Sequence, residues 1–233
     1  LPMASVTKLM CLLIWAEEME KGTFNMDTVI TATARANAMD GSVIWLNVGE
    51  EMPACDMIRS VVIASANDAC VAVCEYIAGT EEMFVERMNK RAQELGMSGT
   101  HFVNCNGMPD EDHYSTARDI AKVAAYAMKN EMFRRIVASP RIVMPDWENP
   151  GSTYEAENTN KLLETYPGCI GVKTGYTNAA GGCLVSAASR NGRELLCVVL
   201  KSSDMDTRFS DSAALLDYGF LCAENGLAEL PRN

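Results

Sequence analysis

Ser5 and Lys8 are spaced as a serine nucleophile and its base could be. They form a Ser-x-x-Lys segment in a run, residues 5–20, whose apolar spacing predicts a helix. Residues i and i+3 lie on one helix face, so the Lys8 amine can reach the Ser5 hydroxyl. A serine hydroxyl attacks a carbonyl well only when a neighbouring base takes its proton, and burial can make a lysine that base. Free N–H groups at a helix start also favour a developing oxyanion.

Taken alone, this pair is a weak signal, because the composition gives about half a Ser-x-x-Lys by chance. The plainer interpretation is that Ser5 caps the helix and Lys8 is a solvated residue of its first turn.

A second group, Lys173-Thr174-Gly175, is rarer, with about 0.03 occurrences expected by chance. It lies at the end of a predicted strand. It offers a cation, a hydroxyl donor and a glycine that lets another backbone approach closely. That combination would bind a carboxylate. The alternative is an ordinary strand end that turns at Gly175.

A third group, Ser65-Ala66-Asn67, interrupts the apolar stretch 56–77. Polar groups in such a break are either buried and paired or face a cleft. Ser-x-Asn by itself means little, since Ser189-Arg190-Asn191 also matches.

The order of the three groups along the chain is more informative than any one of them. Class A β-lactamases and penicillin-binding proteins carry Ser-x-x-Lys, Ser-Asp-Asn and Lys-Thr-Gly in this order.

The elements that must position these groups indicate an α+β protein rather than a βαβ repeat. Helical periodicity, short β-like runs and loop-like composition alternate along the chain. We predict helices over 5–20, 56–77 in two pieces, 81–95, 116–129 and 209–222, strands over 169–174, 183–189 and 195–200, short strands and loops over 23–50, a loop over 98–114 and a polar connector over 140–151. Asn191-Gly192 predicts a hairpin between the last two strands.

Composition limits the functional classes. The chain has 233 residues, 48% hydrophobic and 22% charged, which is typical of one large globular domain or two small ones. A net charge of −11 argues against a nucleic-acid partner. No apolar run reaches the ~18 residues of a membrane span. Nine cysteines occur without a Cys-x-x-Cys pair and with two histidines, so the spacing predicts no zinc site and favours small core residues.

The chain resembles the D-alanyl-D-alanine carboxypeptidases, the low-molecular-weight penicillin-binding proteins of serine peptidase family S11. The similarity extends beyond the three motifs to segments spread over nearly the whole sequence. These segments are 2–10, 41–42, 45–46, 49–50, 64–69, 96–107, 115–119, 158–163, 171–177 and 180–181.

The resemblance implies a β-lactamase/transpeptidase-like fold. In it an antiparallel sheet is flanked by helices as an α/β/α sandwich, with a mostly helical insertion. Residues 1–233 would form a single transpeptidase domain, helical over about 23–165, with the sheet and closing helix over about 166–225. In the family two strands precede the nucleophile segment. We expect those strands, the signal peptide, the C-terminal β domain and the membrane anchor to be missing from this chain.

The resemblance also implies an activity, the removal of the terminal D-alanine from peptidoglycan stem peptides ending in D-Ala-D-Ala. Ser5 would form the acyl-enzyme and Lys8 would be its general base. Ser65 and Asn67 would complete the proton path and hold the substrate amide, with Lys173 tuning Ser65. β-Lactams would be covalent inhibitors. The expected location is the bacterial cell envelope, outside the cytoplasm.

The remaining expected site residues bind the substrate. Thr174 would hydrogen-bond the terminal carboxylate, beside Gly175 and Tyr176, and the backbone N–H groups of Ser5 and Tyr176 would form the oxyanion hole. Arg208 would bind the carboxylate. The alternative for Arg208 is a surface arginine near three aspartates, Asp204, Asp206 and Asp211. No metal, organic cofactor, nucleic acid or membrane span is implied.

Two other functions remain open from the sequence. A β-lactamase shares the three motifs, but class A enzymes deacylate with an added glutamate on a loop. Glu155, Glu157 and Glu164 do not form a recognisable version of that loop. The other possibility is a catalytically silent scaffold that binds peptidoglycan.

Overall fold

The computed structural model describes residues 1–146 and 151–226. Its α-helices and β-strands follow each other in an α+β order. The helices are α1 (Lys8–Glu20), α2 (Ala34–Asn37), α3 (Ala54–Ile63), α4 (Asn67–Ala78), α5 (Glu81–Glu94), α6 (Ala117–Ala127), α7 (Glu131–Val137), α8 (Leu162–Thr165) and α9 (Thr207–Glu224). The strands are β1 (Val29–Thr31), β2 (Glu51–Pro53), β3 (Arg141–Pro145), β4 (Thr153–Glu157), β5 (Cys169–Thr177), β6 (Gly181–Arg190) and β7 (Arg193–Ser202).

The largest sheet among the described residues is antiparallel, in the order β5-β6-β7. The predicted hairpin is confirmed: Arg190 pairs with Arg193 around Asn191 and Gly192. Both turn residues have positive φ, +52° and +74°. A tight turn of this hand matches the twist of the two strands, and Asn-Gly is the pair that tolerates it best.

Strand β6 is buried on both faces and divides the core in two. Leu184 and Ala188 face α9, where they pack with Phe209, Leu216 and Phe220. Val185 lies on the opposite face, in the larger core that contains α1. Because successive side chains on a strand point to opposite faces, β6 joins both cores. The sheet is therefore sandwiched between helices, as the resemblance predicts.

Helix α1 runs through the centre of the larger core. All residues from Lys8 to Ala16 are buried, and α1 packs against α4, α5, α6 and α7. A helix that is apolar on every side must be covered on every side. Among the described residues, no helix is both long and apolar enough to cross a membrane.

Two pairs of antiparallel strands lie in the region 23–165 that the resemblance implies to be helical, and β1 of the first pair falls in the stretch 23–50 where the sequence predicts short strands. Strands β1 and β2 pair with each other, and so do β3 and β4. The prediction of a polar connector over 140–151 is therefore wrong for β3, while residues 147–150 lie outside the described part of the chain. In β3, Ile142 and Met144 are buried and alternate with exposed residues. The prolines at its two ends obscured this alternation.

Candidate active site

Ser5 lies in a 3-10 turn, Ala4–Thr7, which leads directly into α1. Two glycine backbones press against this turn. A Cβ atom on Gly107 would overlap the carbonyl oxygen of Ala4 and lie 2.9 Å from Ser5 N, and one on Gly175 would lie 3.1 Å from Ser5 N. Both positions therefore exclude a side chain. The close approach expected at Gly175 is present, and Gly107 supplies a second one.

The backbone ahead of Ser5 is also held. Leu1 N donates to Ser115 O and Ser115 N donates to Leu1 O, each at 2.9 Å. Met3 and Ala4 are buried in the larger core. These contacts fix the turn that carries the Ser5 hydroxyl, a requirement for a nucleophile that must keep one geometry.

Lys8 is completely buried and its Nζ atom has three oxygen partners. The distances are 2.9 Å to Ser5 Oγ, 2.7 Å to Asn67 Oδ1 and 2.7 Å to Asn106 O. The interpretation of Lys8 as a solvated first-turn residue is therefore wrong. Burial lowers the pKa of Lys8 below the ordinary lysine value. A neutral amine keeps two N–H donors for Asn67 and Asn106 and turns its lone pair to the Ser5 hydroxyl.

Ser65 and Asn67 occupy the break between α3 and α4, where the sequence predicts it. Ser65 has a φ of +63°, a conformation that is strained for a serine and that surrounding structure must enforce. Asn67 joins two parts of the site. Its Oδ1 accepts from Lys8, and its Nδ2 donates to Asp40 O at 2.7 Å.

Lys173 is the second buried lysine of the site. Its Nζ donates to Ser65 Oγ at 2.9 Å and to Thr174 O at 3.2 Å. Burial, followed by the positive charges of Lys8 and Arg208, lowers the pKa of Lys173 well below its usual value. Among residues 1–146 and 151–226, no carboxylate forms an ion pair with either lysine. Burial without a carboxylate partner therefore favours the neutral form of both amines.

The predicted carboxylate-binding residues lie on β5 and α9. Thr174 Oγ1 lies 2.6 Å from the hydroxyl of Thr159. Arg208 is buried, with 5% of its surface exposed, and its Nη1 donates to Gly175 O at 2.8 Å. The surface-arginine alternative is therefore wrong. Tyr176 is 44% exposed near the end of β5.

The structure thus brings the three motifs together as two serine–lysine pairs. Ser5 pairs with Lys8, and Ser65 pairs with Lys173. Three positions that touch these groups were not predicted as site residues, namely Asn106, Gly107 and Thr159. The Asn106-Gly107 dipeptide was visible as a loop signal, but no local pattern links it to Ser5.

The glutamates considered for a β-lactamase lie elsewhere. Glu155 and Glu157 are exposed on β4, and Glu164 is exposed on α8. The geometry therefore does not support a class A deacylating glutamate. Among the described residues, the group with a metal-ligand arrangement also lies outside this site and consists of Cys11, Cys70 and Cys74.

Comparison of the sequence with known proteins shows which family the chain is similar to. The sequence profile of peptidase family S11, D-alanyl-D-alanine carboxypeptidase, matches residues 1–204. The chain is 39% identical over 217 residues to D-alanyl-D-alanine carboxypeptidase DacF of Bacillus subtilis (strain 168), which covers 93% of this chain and 55% of DacF. It is 32% identical over 229 residues to the D-alanyl-D-alanine carboxypeptidase of Streptomyces sp. (strain K15), covering 93% of this chain and 78% of the relative.

Solved structures of D-alanyl-D-alanine carboxypeptidases and transpeptidases are also similar to this chain. The D-alanyl-D-alanine carboxypeptidase DacD from Francisella tularensis superposes with a TM-score of 0.87 at 30% identity, over 93% of this chain and 64% of that one. The Streptomyces K15 DD-transpeptidase superposes with a TM-score of 0.86 at 30% identity, over 94% and 88%. The chain spans about half the length of DacF.

Proposed function

The chain belongs to the D-alanyl-D-alanine carboxypeptidase family, peptidase S11, and on that basis we propose that it is a serine-type D-Ala-D-Ala carboxypeptidase. Its substrate is a peptidoglycan stem peptide that ends in D-Ala-D-Ala, and its product is D-alanine. The observation that carries the proposal is the contact of 2.9 Å between Ser5 Oγ and the buried amine of Lys8.

Acylation begins at this contact. Neutral Lys8 takes the proton of Ser5 as Oγ attacks the carbonyl carbon between the two D-alanines. The negative charge that develops on the carbonyl oxygen is stabilised by the backbone N–H groups of Ser5 and Tyr176. The approach of Gly175 to Ser5 N supports this pairing, because it brings the end of β5 next to the Ser5 turn.

The leaving D-alanine needs a proton as the C–N bond breaks. The proton that Lys8 took from Ser5 passes to the amine through the Ser65 hydroxyl, which returns Lys8 to its neutral form, and Lys173 orients that hydroxyl by a hydrogen bond of 2.9 Å. Asn67 holds the substrate amide and also the Lys8 amine. Water then hydrolyses the ester on Ser5, which releases the shortened peptide.

The terminal carboxylate of the substrate binds near Thr174 and Arg208. Arg208 is buried, and its Nε atom has no hydrogen-bond partner among the described residues. A buried cation with an unused donor is suited to a carboxylate. Thr174 would exchange its contact with Thr159 for the ligand oxygen.

β-Lactams carry a carboxylate beside a reactive amide, so the same groups make them covalent inhibitors.

The mechanism needs no metal or organic cofactor. We propose that the protein acts in the bacterial cell envelope, where peptidoglycan lies. We propose that residues 1–233 act as one domain around Ser5.

Release of D-alanine from diacetyl-L-Lys-D-Ala-D-Ala tests the proposal. We expect steady release by the chain, none by Ser5→Ala and none from the same peptide ending in L-Ala. Rapid penicillin hydrolysis without D-alanine release would identify a β-lactamase instead. Peptide binding with neither reaction would identify a silent scaffold.

A further inference from the structure

Four buried cysteines meet behind Lys8, although the chain brings them from three separate segments. Cys11 comes from α1, Cys70 and Cys74 from α4, and Cys105 from the loop after α5. The Sγ atoms of Cys11, Cys70 and Cys74 all lie within 4.8 Å of one another. All four side chains are fully buried, and no disulfide joins them.

Cys105 closes this thiol cluster. Its carbonyl oxygen accepts from the thiols of Cys11 at 3.1 Å and of Cys70 at 3.4 Å. Its own thiol donates to Glu81 Oε1 at 3.4 Å, at the edge of the group formed by the other three. Sulfur is thus concentrated at one point in the core, rather than scattered as in ordinary packing.

The spacing is close to that of a metal–thiolate centre. Tetrahedral zinc has Zn–S bonds of about 2.3 Å, which sets the sulfurs about 3.8 Å apart. The sulfurs of Cys11, Cys70 and Cys74 need to contract by about 1 Å at most to reach that geometry, and the Cys105 thiol has to turn from Glu81 to complete it. Cys70 and Cys74 are one helical turn apart and share a face of α4, so they form a chelating pair.

We propose that Cys11, Cys70, Cys74 and Cys105 form a binding site for one thiophilic d10 metal ion, with Zn²⁺ as the type ion. Thiolate sulfur is the ligand that selects such ions, and four thiol ligands would fill a tetrahedral set and leave no position for substrate. The site is therefore structural in type and separate from the catalytic groups.

The electrostatics of the cluster suit a cation. The buried carboxylate of Glu81, which also pairs with Arg35, accepts from Cys105 N at 3.2 Å and from the Cys105 thiol at 3.4 Å. Binding would release protons from the thiols, and the metal charge would offset the thiolates that form.

The thiol cluster is linked to the catalytic site through one peptide. Cys105 O accepts from two of the thiols, and the next carbonyl, Asn106 O, accepts from Lys8 Nζ at 2.7 Å. Metal binding would therefore hold the segment that positions the Lys8 amine.

Cadmium is the probe that tests the site, because Cd²⁺ bound to thiolate gives an ultraviolet charge-transfer band. The whole chain, without a polyhistidine tag, is reduced, freed of metal and titrated with Cd²⁺. We expect the band to saturate at one equivalent per chain, Zn²⁺ to displace Cd²⁺ and the melting temperature to rise. Cys70→Ser/Cys74→Ser should lose the band.

The matched control changes three cysteines outside the cluster, Cys55→Ser/Cys169→Ser/Cys222→Ser, and should keep the full band. Cys11→Ala is a second test that alters one core residue, in case the double variant does not fold. An unchanged band in folded Cys11→Ala, or no band in the reduced wild type, would overturn the proposal. Formation of a disulfide in the cluster, with no uptake of Cd²⁺ by the reduced chain, would also overturn it.

Discussion

Lys8 Nζ lies 2.9 Å from Ser5 Oγ, at hydrogen-bond distance, in a part of the core that water does not reach. The proposed base and the proposed nucleophile are thus aligned before any substrate binds. The same burial that hides Lys8 lowers its pKa. The placement of α1 at the centre of the larger core therefore both positions the Lys8 amine and lowers its pKa.

Replacing Lys8 with methionine should remove the base while filling a similar volume. We expect the rate of acylation by a fluorescent penicillin to fall about 10²- to 10⁴-fold, the usual contribution of a general base. Lys21→Met is the matched control, because Lys21 is exposed at the end of the same helix and pairs with Glu18. A loss below tenfold in a folded Lys8→Met protein would count against Lys8 as the base.

The pH dependence of acylation should report the lowered pKa of Lys8. Only the neutral amine accepts the Ser5 proton, so the rate should rise with pH as Lys8 loses its proton. Because burial lowers this pKa, the midpoint of the rise should lie below 10.5, the ordinary lysine value. Stopped-flow acylation across pH measures the midpoint. A rate that keeps rising with a midpoint at or above 10.5 would contradict the account.

Gly107→Ala should displace the Ser5 turn. A Cβ there meets Ala4 and Ser5, so we expect acylation to fall by at least tenfold. Gly49→Ala separates this effect from backbone strain, because φ is +84° at Gly49 and +89° at Gly107, but nothing lies within 4 Å of a Cβ on Gly49. Gly49→Ala should cost about 1 kcal/mol of stability and leave acylation unchanged. Equal acylation rates in the two variants would refute the steric argument.

His113 should make folding stability depend on pH. Its Nδ1 accepts from Val103 N and its Nε2 lies 2.7 Å from the Thr7 hydroxyl, so a second ring proton would face the Val103 N–H. Burial lowers the pKa of His113 from 6.5 to about 4. The unfolded chain therefore binds more protons between these values, and stability should fall as pH falls from 6.5 to 4, by a few kcal/mol.

Urea unfolding at several pH values measures this fall. His113→Gln should flatten the dependence in that window, whereas His101→Gln, at an exposed histidine, should leave it as in the wild type. The same slope in His113→Gln and wild type would assign the dependence to other groups.

The parts of the fold that depend on local sequence could be predicted. The Asn191-Gly192 pair forms a turn, and the polar break at Ser65 separates α3 from α4. Each feature could be predicted because its signal lies within a few residues of the chain. Strand β3 could not be recognised so easily, since Pro140 and Pro145 mark it as a connector. The alternation of buried and exposed residues in β3 identifies it as a strand only once its pairing with β4 is known.

The site residues also divide into those that local sequence predicts and those that it does not. The order of the three motifs predicts which side chains meet, and the structure brings Ser5 to Lys8 and Lys173 to Ser65. The contact of Gly107 with the Ser5 turn joins segments about a hundred residues apart, so no spacing rule reveals it. The thiol cluster is hidden for the same reason, because its cysteines come from α1, α4 and a loop.

Intact mass spectrometry over time after addition of a penicillin tests the central claim most directly, with Ser5→Ala measured in parallel. The account predicts an adduct of one penicillin mass that persists in the wild type and is absent from folded Ser5→Ala. The same adduct on Ser5→Ala, or no adduct on the wild type, would contradict Ser5 as the nucleophile. An adduct that disappears within seconds while the drug is consumed would contradict the carboxypeptidase assignment and indicate a β-lactamase.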